Sequence, residues 1–196
     1  MKICIAQTTS LKGNIQKNIK SHLKIIKRAI TLKSDCIVFP ELSIIGYEPS
    51  LTKELATNVE DPIFNPFQEL SDVYNITIGV GMPIKATEGI QISMLILQPK
   101  KERIVYSKQI LHSDEIPYFI CGKKQTFLNI NGHKIAVGIC YETLQREHFL
   151  NAKQHGADLY IASVAKSKIG IEKANLHFSK ISKELFSFLV LVRNQC

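Results

Sequence analysis

Short apolar runs with no polar outer face set the first constraint on this chain. Cys36-Ile37-Val38-Phe39, Ile135-Ala136-Val137-Gly138-Ile139 and Phe186–Val192 read as strands buried on both sides. Such a strand needs cover on both faces, usually from helices or a second sheet. The segments between supply that cover. From Asn14 to Lys33 the apolar residues Ile15, Ile19, Leu23, Ile26 and Ile30 follow helical spacing. Phe64, Phe67, Leu70 and Tyr74 mark a helix over 61–74, and further helices are expected at 142–155 and 171–185. Strands are expected at 3–8, 76–82, 91–98, 103–110, 127–130, 134–139 and 158–164. Asn131-Gly132 between two of them is a type I′ hairpin signal. The order predicts a layered α/β domain, a mixed sheet arrangement with helices outside.

The length, 196 residues and 22.1 kDa, fits one domain spanning 1–196. No apolar run approaches the roughly 20 residues needed to cross a bilayer, so no membrane association is expected. The start, Met1-Lys2-Ile3-Cys4-Ile5-Ala6-Gln7, lacks the pattern of a secretory signal, and the expected address is the cytoplasm. Five cysteines, at 4, 36, 121, 140 and 196, give an odd count without a close pair. Neither a disulfide framework nor a zinc site is expected from them. The net charge of +8 raises the question of an anionic partner. Lys17, Lys20, Lys24, Lys27 and Arg28 lie largely off the apolar face of one helix, as on a solvated surface. No nucleic-acid-binding motif accompanies them, so no nucleic acid is expected.

Three segments share a pattern, an apolar strand followed by a polar residue, at the sheet edge where α/β proteins bind ligands. In Val38-Phe39-Pro40-Glu41 a carboxylate is placed against buried strands, where its pKa rises towards that of a general base. In Val137-Gly138-Ile139-Cys140 a thiol stands at a strand-to-helix turn. There it is either an inert core cysteine or a nucleophile helped by the helix N-terminus, with the Tyr141 N–H facing an oxyanion. In Ile104–Lys108 a lysine ends a strand, with Glu115 seven residues on. It is one more surface lysine, or a cation that holds a thiolate and a developing oxyanion. His112, His133 and His148 are poorly placed for a Cys–His dyad, which leaves a carboxylate as the base.

In this order the three segments resemble the nitrilase or carbon–nitrogen hydrolase superfamily. Its pattern, a Glu in F-P-E-L, a Lys after a later strand and a Cys in G-x-x-C-Y-[DE], is matched by Phe39–Leu42, Lys108 and Val137–Glu142. Gly46-Tyr47, Leu111, Phe119, Gly122, Glu147, Ala152 and Gly156-Ala157-Asp158 extend the likeness over nearly the whole chain. Leu144 and Arg146 depart from the commoner Arg and Pro, and Ser163–Lys166 from the commoner Pro-Ser/Ala-Ala-Trp.

The resemblance implies a four-layer α-β-β-α sandwich, with further C-terminal strands of the family expected beyond 196, and a homodimer. It also implies hydrolysis of a non-peptide C–N bond, a carboxamide or N-carbamoyl group, in a small molecule. Glu41, Lys108 and Cys140 would form the catalytic triad and Glu115 would orient the substrate. Tyr47, Tyr141 and Lys166 would bind substrate, and no metal or organic cofactor is implied. Nitrile hydrolysis and N-acyl transfer use the same fold, and a non-catalytic basic binding protein is the alternative of a different class.

Overall fold

The computed structural model describes residues 1–165, 176–181, 183–184 and 188–193. The first half forms a five-stranded sheet from β1 (Ile3–Ile5), β2 (Cys36–Val38), β3 (Thr77–Ala86), β4 (Gly89–Leu97) and β5 (Ile104–Ser107), in that spatial order. The second forms a four-stranded sheet from β6 (Phe127–Ile130), β7 (His133–Ile139), β8 (Leu159–Val164) and β9 (Phe188–Arg193), again in chain order. The helices are α1 (Ile15–Thr31), the short α2 (Thr52–Leu55), α3 (Asn65–Tyr74) and α4 (Arg146–Gln154). Residues 176–181 are also helical.

Local chemistry explains where these elements begin and end. Asn14 caps α1, its side chain accepting from Lys17 N at 3.2 Å. Asn75 stops α3 at φ +53°, a left-handed conformation that Asn tolerates. Asn131 and Gly132, at φ +49° and +80°, make the tight β6–β7 hairpin.

The two sheets share one core. Ile37, Val80 and Met94 of the first pack in the same cluster as Leu128, Ile135, Val137 and Ile161 of the second. Alternation along β7 and β8 then selects the outer face. Ala136, Tyr160 and Ala162 meet Phe149 and Ala152 of α4 and Phe178 and Ile181 of the helical segment. On α1, Ile19, Ile26 and Ala29 are buried in the shared core, and Lys17, Lys20, Lys24, Lys27 and Arg28 are exposed. The chain therefore builds the expected α-β-β-α layers. Among the described residues no helix is long and apolar enough to cross a membrane.

The structure corrects one sequence expectation at a sensitive place. No helix runs continuously from 142 to 155. Residues Cys140–Leu144 form a tight 3₁₀ turn, Gln145 is extended, and α4 starts only at Arg146. The carboxylate of Glu142 turns back to accept from Ile139 N at 2.6 Å, which holds the chain in the tighter turn. Cys140 is thus at the head of a five-residue turn, not at an α-helix N-terminus.

Strand directions bring the polar ends together. β1, β2 and β3 are parallel, and two antiparallel pairings carry β5 back to the direction of β2. Glu41 and Lys108 consequently emerge at one edge of the first sheet. β7 and β8 are parallel, so Cys140 and Ala165 leave the second sheet side by side. Ser163 Oγ donates to Phe39 O at 3.0 Å, joining the two edges.

Candidate active site

Glu41, Lys108 and Glu115 are each at most 1% exposed, and Lys108 lies between the two carboxylates. Its Nζ is 2.9 Å from Glu41 Oε1 and 2.6 Å from Glu115 Oε1. Burial alone would lower the Lys108 pKa, but the charges of Glu41, Cys140 and Glu115 raise it above the ordinary value. The site therefore keeps a protonated ammonium. Glu41 is raised, because burial outweighs the pull of Lys108. Its Oε2 accepts from Ala165 N at 3.1 Å, and the neighbouring Cys140, which also draws the Glu41 pKa down, donates from Sγ to Ala165 O at 3.9 Å.

Backbone geometry presents these groups. Cys140 stands at φ +48° and Leu42, next to Glu41, at φ +49°. Non-glycine residues there cost on the order of 1–2 kcal/mol each. Strain at both turns is concentrated where the thiol and carboxylate meet. Close approach completes the Glu41 turn. A Cβ on Gly81 would stand 2.4 Å from Leu42 N and from Pro40 O, so only glycine lets β3 support this loop. On the lysine side, a Cβ on Gly122 would stand 2.1 Å from Ser107 O, and Gly122 N donates to Lys108 O at 2.7 Å.

The other residues expected at the site divide. Tyr47 is half-buried and donates to Glu115 Oε1 at 3.0 Å, which places it on the acidic cluster. Tyr141 is half-exposed, its ring edge-on to His112 with centroids 5.0 Å apart. Lys166 lies outside the described residues. His133 is at the far end of β7 from Cys140, as expected. Among the described residues, no group of three or more His, Cys, Asp or Glu side chains is gathered in the manner of a metal site.

Two supporting groups escaped the sequence reading. Beneath the Glu41 loop, Asn18 Nδ2 donates to Ile44 O at 2.9 Å, and His22 Nε2 meets Ser43 Oγ at 2.9 Å. Both come from the apolar face of α1, and two polar residues inside that stripe were the available signal. Beneath Cys140, Glu142 joins Tyr106 and His148 in a buried cluster. Its sequence signal was only a motif letter without an assigned task.

A thiol beside a buried Glu–Lys–Glu group at the joined edges of two sheets is the architecture of the carbon–nitrogen hydrolases. This chain belongs to that family, whose model matches residues 2–186. A glutamine-dependent NAD(+) synthetase of Acinetobacter baylyi is 32% identical over 144 residues, covering 71% of this chain and 26% of the relative. A protein N-terminal amidase of Saccharomyces cerevisiae is 27% identical over 126 residues, covering 59% of this chain and 28% of the relative. The chain thus spans about a quarter of the length of these curated relatives.

Among solved structures, a CN-hydrolase superfamily protein of Xanthomonas campestris superposes with a TM-score of 0.91 at 14% identity, covering 99% of this chain and 76% of its own. An amidase from Nesterenkonia sp. AN1, carrying acrylamide on its active-site cysteine, superposes at 0.88 with 19% identity, covering 99% and 78%. These two likenesses establish the fold.

Proposed function

We propose that this carbon–nitrogen hydrolase domain hydrolyses a small carboxamide through a Cys140 thioester. The observation that carries this reading is the buried Lys108 held by Glu41 and Glu115 beside Cys140. The relatives favour a carboxamide over the N-carbamoyl alternative, since they are named for glutamine dependence or amidase activity.

In this mechanism Glu41 takes the proton from Cys140, and the thiolate forms an S–C bond to the amide carbon. The carbonyl π electrons move to oxygen, where Lys108 and the Tyr141 N–H stabilise the oxyanion by about 3 kcal/mol per donor. Glu41 gives its proton to the leaving nitrogen as the C–N bond breaks and ammonia or amine departs. Water then gives a proton to Glu41 and attacks the thioester. Collapse of that second intermediate expels the thiolate, which is reprotonated, and releases the acid. The raised pKa of Glu41 suits a group that accepts and returns a proton. Glu115, tied to Tyr47 and Lys108, orients the substrate amide and keeps the ammonium charged.

The test is ammonia release from a panel of primary carboxamides, ureido acids and nitriles. Carboxamides are expected to turn over. Glu41→Gln, Lys108→Ala and Cys140→Ala should each abolish turnover while the protein stays folded, and their effects should not add. Unchanged ammonia release by Cys140→Ala would refute the thioester route. Acid formation from nitriles alone would favour the nitrilase reading.

A further inference from the structure

Glu142 follows Cys140 by two residues, is fully buried, and its carboxylate accepts from four donors. Oε1 accepts from Ile139 N at 2.6 Å and from the Tyr106 hydroxyl. Oε2 accepts from Gln109 N at 2.6 Å and Ile110 N at 3.4 Å. Ile139 immediately precedes the thiol, and Gln109 immediately follows the lysine. One carboxylate in the second half of the chain therefore grips the backbone beside both groups, although they belong to different sheets.

The surroundings fix its protonation pattern. His148 Nδ1 faces the Tyr160 hydroxyl at 2.6 Å and the Gln125 amide nitrogen at 3.0 Å. The amide nitrogen can only donate, so Nδ1 is the acceptor and the ring proton sits on Nε2. Nε2 then donates to the Tyr106 oxygen at 2.9 Å, and Tyr106 donates to Glu142. Burial holds His148 neutral, with its pKa lowered to about 4. Burial also pushes Glu142 up to about 7, opposed by Tyr106, the two backbone donors and the Lys108 charge. The three backbone N–H groups can only donate and Tyr106 donates in this pattern, so the cluster as built accommodates the ionised carboxylate.

We propose that Glu142 is a positioning residue that sets the separation of Cys140 and Lys108 by holding the Ile139 and Gln109 backbones on one carboxylate. This rests on the amide-hydrolase reading of the same site. Lys108 directly follows β5, its backbone held by Ile92 O at 2.8 Å and Gly122 N at 2.7 Å, whereas the thiol turn is short and strained, so the carboxylate ties the turn to the lysine's anchored backbone. The same contact explains why the chain after Cys140 makes a 3₁₀ turn.

The experiment compares Glu142→Gln and Tyr106→Phe with the wild type. The readouts are kcat and KM on a carboxamide, the rate of Cys140 alkylation by iodoacetamide, and cooperative unfolding. An amide must turn its NH2 towards one pair of donors, so Glu142→Gln cuts one of the two grips. In the folded variant kcat is expected to fall on the order of 100-fold, with KM changed by less than about threefold and alkylation slowed in parallel. Tyr106→Phe removes one charge-assisted bond and should lower kcat and alkylation about tenfold.

Folded Glu142→Gln protein with kcat and alkylation within about threefold of wild type would overturn the proposal, as would a loss confined to KM. If Glu142→Gln does not fold, Tyr106→Phe decides, and unchanged values overturn it. If the wild type hydrolyses no carboxamide, the functional reading fails, and alkylation alone decides whether Glu142 positions the thiol.

Discussion

Cys140 combines an accessible edge, a left-handed backbone and a neighbouring ammonium–carboxylate pair, and each has a measurable consequence. The ammonium of Lys108 favours the thiolate, so Cys140 should be the one rapidly alkylated thiol at neutral pH. Cys36 is buried and its thiol is pushed up to about 12, and burial also raises Cys4. Cys121 is exposed and supplies the internal control. Mass mapping after brief iodoacetamide treatment settles the matter, and faster labelling of Cys121 or Cys196 would reject the assignment. Backbone strain gives a second expectation. Cys140→Gly relieves the φ of +48°, whereas Cys140→Ala keeps it. The glycine variant should therefore be the more stable of the two inactive proteins, by about 1 kcal/mol in urea unfolding. The opposite order would mean that the turn is not strained.

Helix α1 shows how one element serves both core and site. Its apolar residues anchor it to the first sheet, while Asn18 and His22 reach through that face to the loop bearing Glu41. His22 stacks on Phe39 with ring centroids 4.0 Å apart, and burial lowers its pKa to about 4. The unfolded chain takes up this proton below about pH 6.5, whereas the fold refuses it until about pH 4. The stability that His22 contributes is thus present above the unfolded value and lost as pH falls towards 4. His148 acts in the same sense, while Glu41 and Glu142, raised by burial, act in the opposite one. Comparison with His22→Gln isolates the effect. The wild-type urea midpoint, less that of the variant, should decrease between neutral pH and pH 4 to 5. A constant or growing difference would show that His22 is not held neutral.

The molecule as a whole is two sheets that meet through a common core, with helices outside. Homodimerisation, expected from the family resemblance, would pair one such unit with another. Leu176, on the outer helical segment, is 77% exposed and provides apolar surface there, while Phe178 beside it is buried against its own sheet. Light scattering should give a mass near twice 22.1 kDa. A monomer mass that persists across concentration would reject the dimer for this chain. Substitution of Leu176 by Glu should weaken the dimer and leave the secondary structure unchanged.

The amino-acid sequence by itself determined the strands, most helices and the layered class, and it singled out Glu41, Lys108 and Cys140 as candidates. The elements follow from local periodicity and turn chemistry, which are properties of neighbouring residues, and the three candidates from a motif order that resembles a known family. Periodicity alone left open whether the nine strands of the described residues form one sheet or two, because pairing depends on partners far along the chain, and only the family resemblance anticipated two sheets. It also misplaced the start of α4, because the helical pattern after Cys140 is overridden by Glu142 reaching across to Gln109 in another layer. The partners of Asn18, His22, Tyr106 and His148 were unreadable for the same reason, although the polar breaks in the apolar stripe of α1 marked the first two. A buried polar side chain acquires its meaning from the donor or acceptor that faces it, and only the tertiary structure decides which group that is.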